Sequence, residues 1–277
     1  MRNDANPELL QSTLATHRHR GIGFVPTMGF LHEGHLSLIR TAKATGQFTV
    51  VSVFVNPAQF GPNEDLESYP REPERDYELS RQAGADLVWF PSVADLYAPG
   101  SETSVLPGNL SKKLCGLSRP NFFPGICTVV LKLFNLIRPD QAFFGEKDYQ
   151  QLTIIRQMVC DFYLPTQVIG CPTVREEDGL AMSSRNAYLR PEDRPLALAL
   201  FRTIERARAL FAGGTRDAKV LQEDLKSFWP EGIELDYLEL RHPTTLDEET
   251  HLSGESRLFL GAWLRGIRLI DNAALAP

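Results

Sequence analysis

The sequence predicts an α/β protein in which a Rossmann-like parallel sheet domain precedes a smaller α+β domain. Two observations predict this fold class. Over roughly the first 173 residues, apolar runs typical of buried strands alternate with helical patterns, as in a parallel sheet covered by helices. Beyond that point, helical patterns come first and strands follow, which is typical of an α+β unit. We therefore expect domains at 1–173 and 174–277.

In the first domain, strands are expected at 22–25, 48–55, 86–90, 141–144 and 166–169, and helices at 36–44, 74–83, 129–136 and 149–160. The first of these helices has apolar residues at helical spacing, and Pro26 ends the strand before it. In the second domain, a charged loop at 175–179 leads to helices at 194–212 and 220–228 and then to strands at 233–240, 257–264 and 267–270. Two segments that carry Pro and Gly, 91–108 and 118–125, are expected to be mobile loops over a site.

Composition favours a globular cytoplasmic protein that binds neither nucleic acid nor membranes. Hydrophobic residues make up 43% of the 277 and charged residues 23%, as in soluble domains. The net charge of -6 gives no general attraction to nucleic acid or anionic lipid. No run approaches the roughly 20 apolar residues of a membrane span, and the N-terminus lacks an apolar signal core. The four cysteines form no CxxC pair and are expected to be structural thiols in a reducing compartment.

The most informative motif is PTMGFLHEGH at 26–35, where a short strand passes through a glycine turn into a helix. A helix N-terminus presents free N–H groups and a positive dipole end to a phosphate. His32 and His35, three residues apart, share one face of that helix and can grip phosphate oxygens. Two other interpretations stay open at this point: a partial metal site, which would need further donors, and a pair of capping histidines without chemistry.

A second strand breaks at a glycine in FFGEKDYQQ, at 143–151. In an open α/β sheet the carboxyl ends of the strands line the ligand crevice. There Lys147 would be a point charge for phosphate, Asp148 would contact a ribose hydroxyl or a cation, and Gln151 would bind a polar substrate. A capping sequence with a surface lysine is the alternative interpretation.

Two further clusters are weaker alone. In MSSRN, at 182–186, two serine hydroxyls stand beside Arg185, which suits a departing phosphate as well as an ordinary serine-rich turn. In FVNPAQFG, at 54–61, Gln59 would orient a small polar substrate at a strand end. The other phosphate and hydrolase signatures, GxGxxG, GxxxxGK[ST] and GxSxG, are absent from the sequence.

Together these clusters resemble the pantothenate synthetase family over nearly the whole chain. The matching segments, in the family's order, are PTMGFLHEGH, VSVFVNPAQFG, the Tyr69-Pro70-Arg71 triplet, RPDQAFFGEKDYQQLTIIRQM and PTVREEDGLAMSSRNAYL. The resemblance implies condensation of pantoate with β-alanine in two steps, through a pantoyl adenylate, with release of pyrophosphate and then AMP. It also implies a C-terminal domain that forms a lid, and a homodimer.

The resemblance assigns roles to individual residues. Catalysis, by stabilising phosphate charge, falls to His32, His35, Lys147, Ser183, Ser184 and Arg185. ATP binding falls to Met28, Gly29, Phe30, Leu31, His32, Glu33, Gly34, His35, Gly145, Glu146, Lys147, Asp148, Val174, Met182, Ser183, Ser184 and Arg185, with the backbone near Val174 and Met182 on the adenine. Gln59 and Gln151 are expected to bind pantoate, and Gln59 is also expected to lie near β-alanine.

Three points qualify these assignments. His35 is the family's usual proton donor, but a phosphate clamp explains the same residue. Mg²⁺ is expected on the ATP phosphates, with Asp76 or Asp148 as a minor or water-mediated partner and no metal site built from protein ligands alone. Phe122 replaces a histidine of the family's loop, which suggests that this loop is an apolar cover and leaves Arg119 as its cation.

Two other function classes share part of this pattern. A plain adenylyl- or cytidylyltransferase would need the first and third clusters but not the two substrate-binding amides. A nucleotide-sensing or RNA-binding module derived from a synthetase would not need His32, His35, Lys147 and Arg185, and the acidic balance disfavours RNA.

Overall fold

The first part of the chain folds around a parallel sheet in this computed structural model, which describes residues 1–3, 6–62 and 64–276. The sheet has six strands in the order β1-β4-β3-β2-β5-β6. Their bounds are β1 (Arg2–Asn3), β2 (Ile22–Thr27), β3 (Phe48–Val53), β4 (Leu87–Trp89), β5 (Gln141–Gly145) and β6 (Gln167–Cys171). Every pair is parallel. Because β2 lies between β3 and β5, the connections after β2 and β5 diverge and leave a crevice at their carboxyl ends.

Helices cover both faces of this sheet because its strands are apolar on both sides. They are α1 (Pro7–His17), α2 (Glu33–Ala44), α3 (Pro73–Gln82), α4 (Val93–Leu96), α5 (Cys115–Ser118), α6 (Phe122–Ile137) and α7 (Tyr149–Asp161). Phe24 of β2 belongs to the core beneath α1, α6 and α7, whereas Val25 belongs to the core beneath α2. This alternation along one strand is the period-two pattern that a doubly covered sheet requires.

The last third of the chain forms an antiparallel sheet of order β7-β8-β9 packed on helices. Its elements are α8 (Arg194–Ala197), α9 (Ala199–Ala212), α10 (Ala218–Phe228), β7 (Glu234–Arg241), β8 (Arg257–Leu264) and β9 (Ile267–Ala274). A separate apolar core joins them, with Leu200, Leu221 and Leu260 fully buried. The α/β class followed by a smaller α+β unit is therefore confirmed, while the domain boundary at 173 stays a prediction.

Four local predictions need correction. Segment 118–125 is a loop only over residues 119–121, because α5 ends at Ser118 and α6 begins at Phe122. Pro124 lies in the first turn of α6, where backbone N–H groups have no acceptor within the helix, so the missing N–H of proline costs no hydrogen bond. Gly125 packs directly on the backbone of Ala58. The helix expected at 194–212 is two helices separated at Leu198, segment 91–108 includes the short helix α4, and the sequence analysis missed β1 and α1.

In the part of the chain that the structure describes, no helix is long and apolar enough to cross a bilayer. All four cysteines are free; Cys160 is exposed and the other three are buried.

Candidate active site

One cavity of about 840 Å³ opens at the carboxyl ends of β2 and β5 and is closed on its far side by β9. It brings together all four sequence clusters. The predicted site residues that line it are Met28, His32, Gly34, His35, Gln59, Gly145, Lys147, Asp148, Gln151, Val174, Met182, Ser183, Ser184 and Arg185. We call this space the central cavity. Five predicted ATP-binding residues do not line it: Gly29, Phe30, Leu31, Glu33 and Glu146.

The glycine turn explains why three of these five are turned away. Gly29 has a φ of +83°, and a Cβ there would lie 2.8 Å from a carboxylate oxygen of Asp76. That carboxylate accepts hydrogen bonds from the N–H groups of Phe30 and Leu31, both at 2.8 Å. Since Asp76 is 1% exposed and both its oxygens are occupied, it fixes the turn and is poorly placed for Mg²⁺. Glu33, the fourth, pairs with Arg40 on the outer face of α2.

His32 and His35 cap the helix that follows the turn. The Nδ1 atom of His32 accepts the N–H of Gly34 at 3.2 Å, and Nδ1 of His35 accepts the N–H of His32 at 3.3 Å. The two rings lie 4.1 Å apart, centroid to centroid. Both histidines therefore cap the helix, whereas their contact with phosphate stays a prediction. With Nδ1 accepting, the ring proton of each neutral imidazole is on Nε2, available to a ligand.

Both imidazoles are neutral at pH 7. Burial, with help from the nearby Lys147 charge, lowers the pKa of His32 to about 4. Burial and then the neighbouring His32 and Lys147 lower the pKa of His35 well below its ordinary value. Neutral rings are hydrogen-bond donors through Nε2 but poor proton donors, so this geometry favours a phosphate clamp over general-acid chemistry at His35.

Lys147 and Asp148 lie on a single 3₁₀ turn, Glu146–Asp148, between β5 and α7. The Lys147 ammonium is 3.9 Å from the Asp148 carboxylate, which leaves both groups facing the cavity without a tight ion pair. Glu146 points away and pairs with Arg257 of β8 at 3.5 Å. The turn therefore presents one cation and one carboxylate to a ligand.

The serine–arginine segment reaches the glycine turn from the other side of the cavity. The hydroxyl of Ser184 donates to the carbonyl of Phe30 at 3.3 Å, and the N–H of Met182 donates to the carbonyl of Val174 at 3.0 Å. The guanidinium of Arg185 makes a bidentate contact with Asp65, at 2.8 and 3.1 Å. These contacts gather hydroxyls, a guanidinium and backbone around one end of the cavity.

The two glutamines that the sequence analysis assigned to pantoate, Gln59 and Gln151, have different environments. Gln59 is 8% exposed; its Oε1 accepts from Asn56 at 3.2 Å and its Nε2 lies 2.8 Å from the sulfur of Met28. Gln151 lines the cavity, whereas its neighbour Gln150 is turned inward to bond the backbone of Cys115 and Lys113. Gln151 thus faces the cavity and Gln150 does not, while the binding of pantoate by Gln151 stays a prediction.

The cavity also has an apolar wall, which is formed by Phe54, Ile126, Val129, Val130, Leu133 and Phe144. Beside it, the Phe122 ring also faces the cavity and lies beneath the guanidinium of Arg119, 3.6 Å from ring centroid to Cζ. Arg119 in turn pairs with Glu64 and donates to the carbonyl of Gln59 at 3.3 Å. Phe122 thus supports a cation, in addition to covering the site.

Sequence reasoning missed several cavity residues that come from elsewhere in the chain. Asp65 belongs to a loop beside the Gln59 motif, and Arg268 and Asp271 come from β9. Arg268 pairs with Asp236 at 2.7 Å, and Asp271 makes a bidentate contact with Arg175 at 2.6 and 3.0 Å. The only local signal was the charge of these residues, which did not distinguish them from surface residues.

A family model described as pantoate-beta-alanine ligase matches residues 5–274. The chain belongs to the pantoate-beta-alanine ligase family. A pantothenate synthetase from Syntrophobacter fumaroxidans is 50% identical over 258 residues, which are 92% of this chain and 91% of that protein. One from Thermotoga neapolitana is 48% identical over 260 residues, 93% of each chain.

Solved structures agree with this assignment. A pantothenate synthetase from Thermus thermophilus superposes with a TM-score of 0.95 at 42% identity, covering 100% of both chains. A pantoate-beta-alanine ligase from Francisella tularensis, complexed with beta-gamma ATP and beta-alanine, gives a TM-score of 0.81 at 34% identity, covering 99% of this chain and 97% of that one. Membership in the ligase family thus rests on sequence and fold together.

Residues 1–3, 6–62 and 64–276 contain no group of three or more His, Cys, Asp or Glu side chains that could hold a metal ion. The carboxylates of Glu64, Asp65 and Asp271 are paired with arginines, so Asp148 is the cavity carboxylate with the loosest ion pair. This donor set does not fit an ion held by protein alone.

Proposed function

We propose that the protein is an AMP-forming ligase that condenses pantoate with β-alanine at the expense of ATP. The observation that carries this proposal is the convergence of four separate sequence clusters on one cavity, which is lined by cations and imidazoles and also by two amides and apolar side chains. A nucleotide triphosphate needs the cations and the N–H donors. A small hydroxy acid with two methyl groups needs the amides and the apolar side chains.

In the first step, a carboxylate oxygen of pantoate attacks the α-phosphorus of ATP. The bond from that phosphorus to the bridging oxygen breaks, and pyrophosphate leaves. His32 and His35 donate Nε2–H to phosphate oxygens, while Lys147 and Arg185 balance the negative charge that develops on the leaving group. The two imidazoles are fixed by their Nδ1 hydrogen bonds before the reaction, so they supply their part of this stabilisation without reorganisation.

Arg185 must then exchange partners. In the ligand-free arrangement its guanidinium is bound to Asp65, so the phosphate competes with a carboxylate for the same fork of donors. Ser183 adds a hydroxyl donor beside it, and Ser184 adds another when its hydroxyl turns from the carbonyl of Phe30 to the phosphate. Mg²⁺ carried by the ATP phosphates would neutralise further charge on the pyrophosphate, and Asp148, whose ion pair with Lys147 is loose, would be its outer protein partner.

In the second step, the amine of β-alanine attacks the acyl carbon of the bound adenylate and AMP departs. Gln59 and Gln151 hold the pantoyl group, and the apolar wall takes its two methyl groups. Burial of Gln59 with its hydrogen bond from Asn56 fixes the amide orientation, which keeps the acyl carbon in one place for the attack.

The same proposal includes a cytoplasmic location, a homodimeric state and a closing motion of the C-terminal unit over the cavity. Family resemblance supports the dimer and the lid. The location is supported by the four cysteines, which are all free thiols, as is usual in a reducing compartment.

The test is exchange of labelled pyrophosphate into ATP, with Mg²⁺ present and β-alanine absent. We expect exchange that requires pantoate, because adenylation is reversible before the amine arrives. Exchange without pantoate would indicate a plain nucleotidyltransferase. Failure of exchange in protein that binds ATP would refute the proposed first step.

A further inference from the structure

A buried amide of β9 clasps the turn that carries Lys147. Asn272 is 4% exposed, and its Nδ2 donates to the carbonyl of Glu146 at 2.9 Å and to the carbonyl of Lys147 at 2.8 Å. These are two consecutive carbonyls of the turn, and both bonds span more than 120 residues of sequence. One side chain of the C-terminal sheet thus fixes the backbone on both sides of the Lys147 peptide.

The orientation of this amide is determined by its partners. Its Oδ1 accepts from Nη1 of Arg257 at 2.5 Å. A guanidinium can only donate and a carbonyl can only accept, so the oxygen must face Arg257 and the nitrogen must face the turn. Every polar atom of the side chain is therefore occupied.

The turn has little other support of its own. It is a single 3₁₀ turn, and neither Gly145 before it nor Asp148 at the start of α7 supplies a side-chain cap. Two further contacts at this place come from β8: Arg257 pairs with Glu146 at 3.5 Å, and its Cζ lies 3.6 Å from the ring centroid of Tyr149, the first residue of α7. The position of Lys147 thus depends on the docking of β8 and β9.

We propose that Asn272 is a positioning residue for Lys147, and that it makes the lysine's charge effective only when the C-terminal sheet is docked. This inference rests on the proposed function. Asn272 itself does not line the central cavity, so its influence must pass through the turn. A lysine is a flexible point charge, and fixing its backbone reduces the range of positions that the ammonium samples during phosphoryl transfer.

The experiment compares Asn272→Ala, Lys147→Ala and the double variant in pantoate-dependent pyrophosphate exchange. We expect Asn272→Ala to lower kcat by about 10–100-fold, as for residues that orient a catalytic ligand, with the KM for pantoate nearly unchanged. In the Lys147→Ala background, the same change should lower kcat by less than about twofold, because the lysine it positions is gone.

Asn272→Asp separates the clasp from packing. The carboxylate keeps the size of the amide and its bond to Arg257, but it cannot donate to the two carbonyls. Its second oxygen would face the two carbonyl oxygens and be repelled by them, so we expect this variant to lose at least as much kcat as Asn272→Ala, and thermal unfolding of the same protein checks that it remains folded. A matched control is Gln222→Ala, which removes a side chain that donates to the carbonyl of Leu238 at 2.6 Å, in the same unit and away from the cavity.

Several results would overturn the inference: wild-type exchange in Asn272→Asp, losses that multiply in the double variant, or an equal loss of kcat in Gln222→Ala. The affinity for pyrophosphate, measured by calorimetry on the wild type, the two single variants and the double variant, gives a second double-mutant cycle that does not depend on pantoate. If the wild type showed no exchange, the proposed function would fail, and this binding cycle alone would decide whether Asn272 acts through Lys147.

Discussion

Gly34 is the position where activity and stability should separate most clearly. A Cβ at this residue would lie 2.9 Å from Cε1 and 3.0 Å from Nδ1 of the His32 ring. Such distances are too short for carbon contacts, so Gly34→Ala must displace the imidazole. The displaced ring loses the hydrogen bond that it accepts from the N–H of residue 34 and leaves its place in the cavity.

The effect on stability should be small because two terms oppose each other. Loss of an N-cap hydrogen bond costs about 0.5–2 kcal/mol. Replacing glycine by alanine in a helix gains up to about 1 kcal/mol. The net change in the free energy of unfolding should therefore lie between a gain of about 0.5 and a loss of about 2 kcal/mol, which corresponds to a Tm decrease of at most roughly 4–8 °C for a chain of this size.

The effect on activity should be large. Removing one preorganised transition-state contact typically lowers kcat by about 10²–10³-fold. We expect that loss in pantoate-dependent pyrophosphate exchange, measured beside thermal unfolding of the same preparation. Gly213→Ala is the matched control: it follows α9, and a Cβ there meets only two carbonyl oxygens, at 3.3 and 3.4 Å.

Two results would refute this reasoning. Retention of more than about half of the wild-type kcat would mean that the His32 ring is not needed where it lies, against the preorganised-contact argument. Destabilisation beyond about 3 kcal/mol would mean that the ring is chiefly structural, since it exceeds the cost of a lost cap.

Three further predictions follow from the site. In an NMR titration, His32 should titrate near pH 4 and His35 should stay neutral at pH 7. Because folding lowers both pKa values, the stability that the neutral rings contribute is full above the unfolded pKa of about 6.5 and declines as the pH falls toward 4. A pKa above about 6 for either histidine would contradict this prediction. Asp76→Ala should destabilise the fold by about 1–3 kcal/mol for each buried N–H left unpaired, in urea unfolding, without altering the Mg²⁺ dependence of the residual activity; a changed Mg²⁺ dependence would restore Asp76 as a metal partner. Gln151→Ala should raise the KM for pantoate at nearly constant stability, whereas Gln150→Ala should lower the unfolding free energy by about 1–3 kcal/mol, and the reverse pattern would show that the two side chains are exchanged.

Much of the fold could be predicted because its signals are local. Alternating apolar runs and helical spacing identify the strands and helices of the parallel sheet domain. Gly29 after β2 and Gly145 at the end of β5 mark the turns at the carboxyl ends of these strands. Segment 118–125 was mistaken for a loop because Pro and Gly usually break helices. Pro124 and Gly125 in fact belong to α6, and Gly125 is where this helix packs on the backbone of Ala58, a tertiary contact that the sequence does not show.

The sequence by itself determined the family, the α/β class and the residue types that handle phosphate, because each motif is contiguous and its chemistry depends on side chains only a few positions apart. The tertiary structure decided which of those residues face the cavity. It turned Phe30 and Leu31 toward Asp76, made the histidines neutral by burial, and placed Asn272 of β9 on the Lys147 turn. Burial and contacts between distant segments depend on how the whole chain packs, and no local pattern records them.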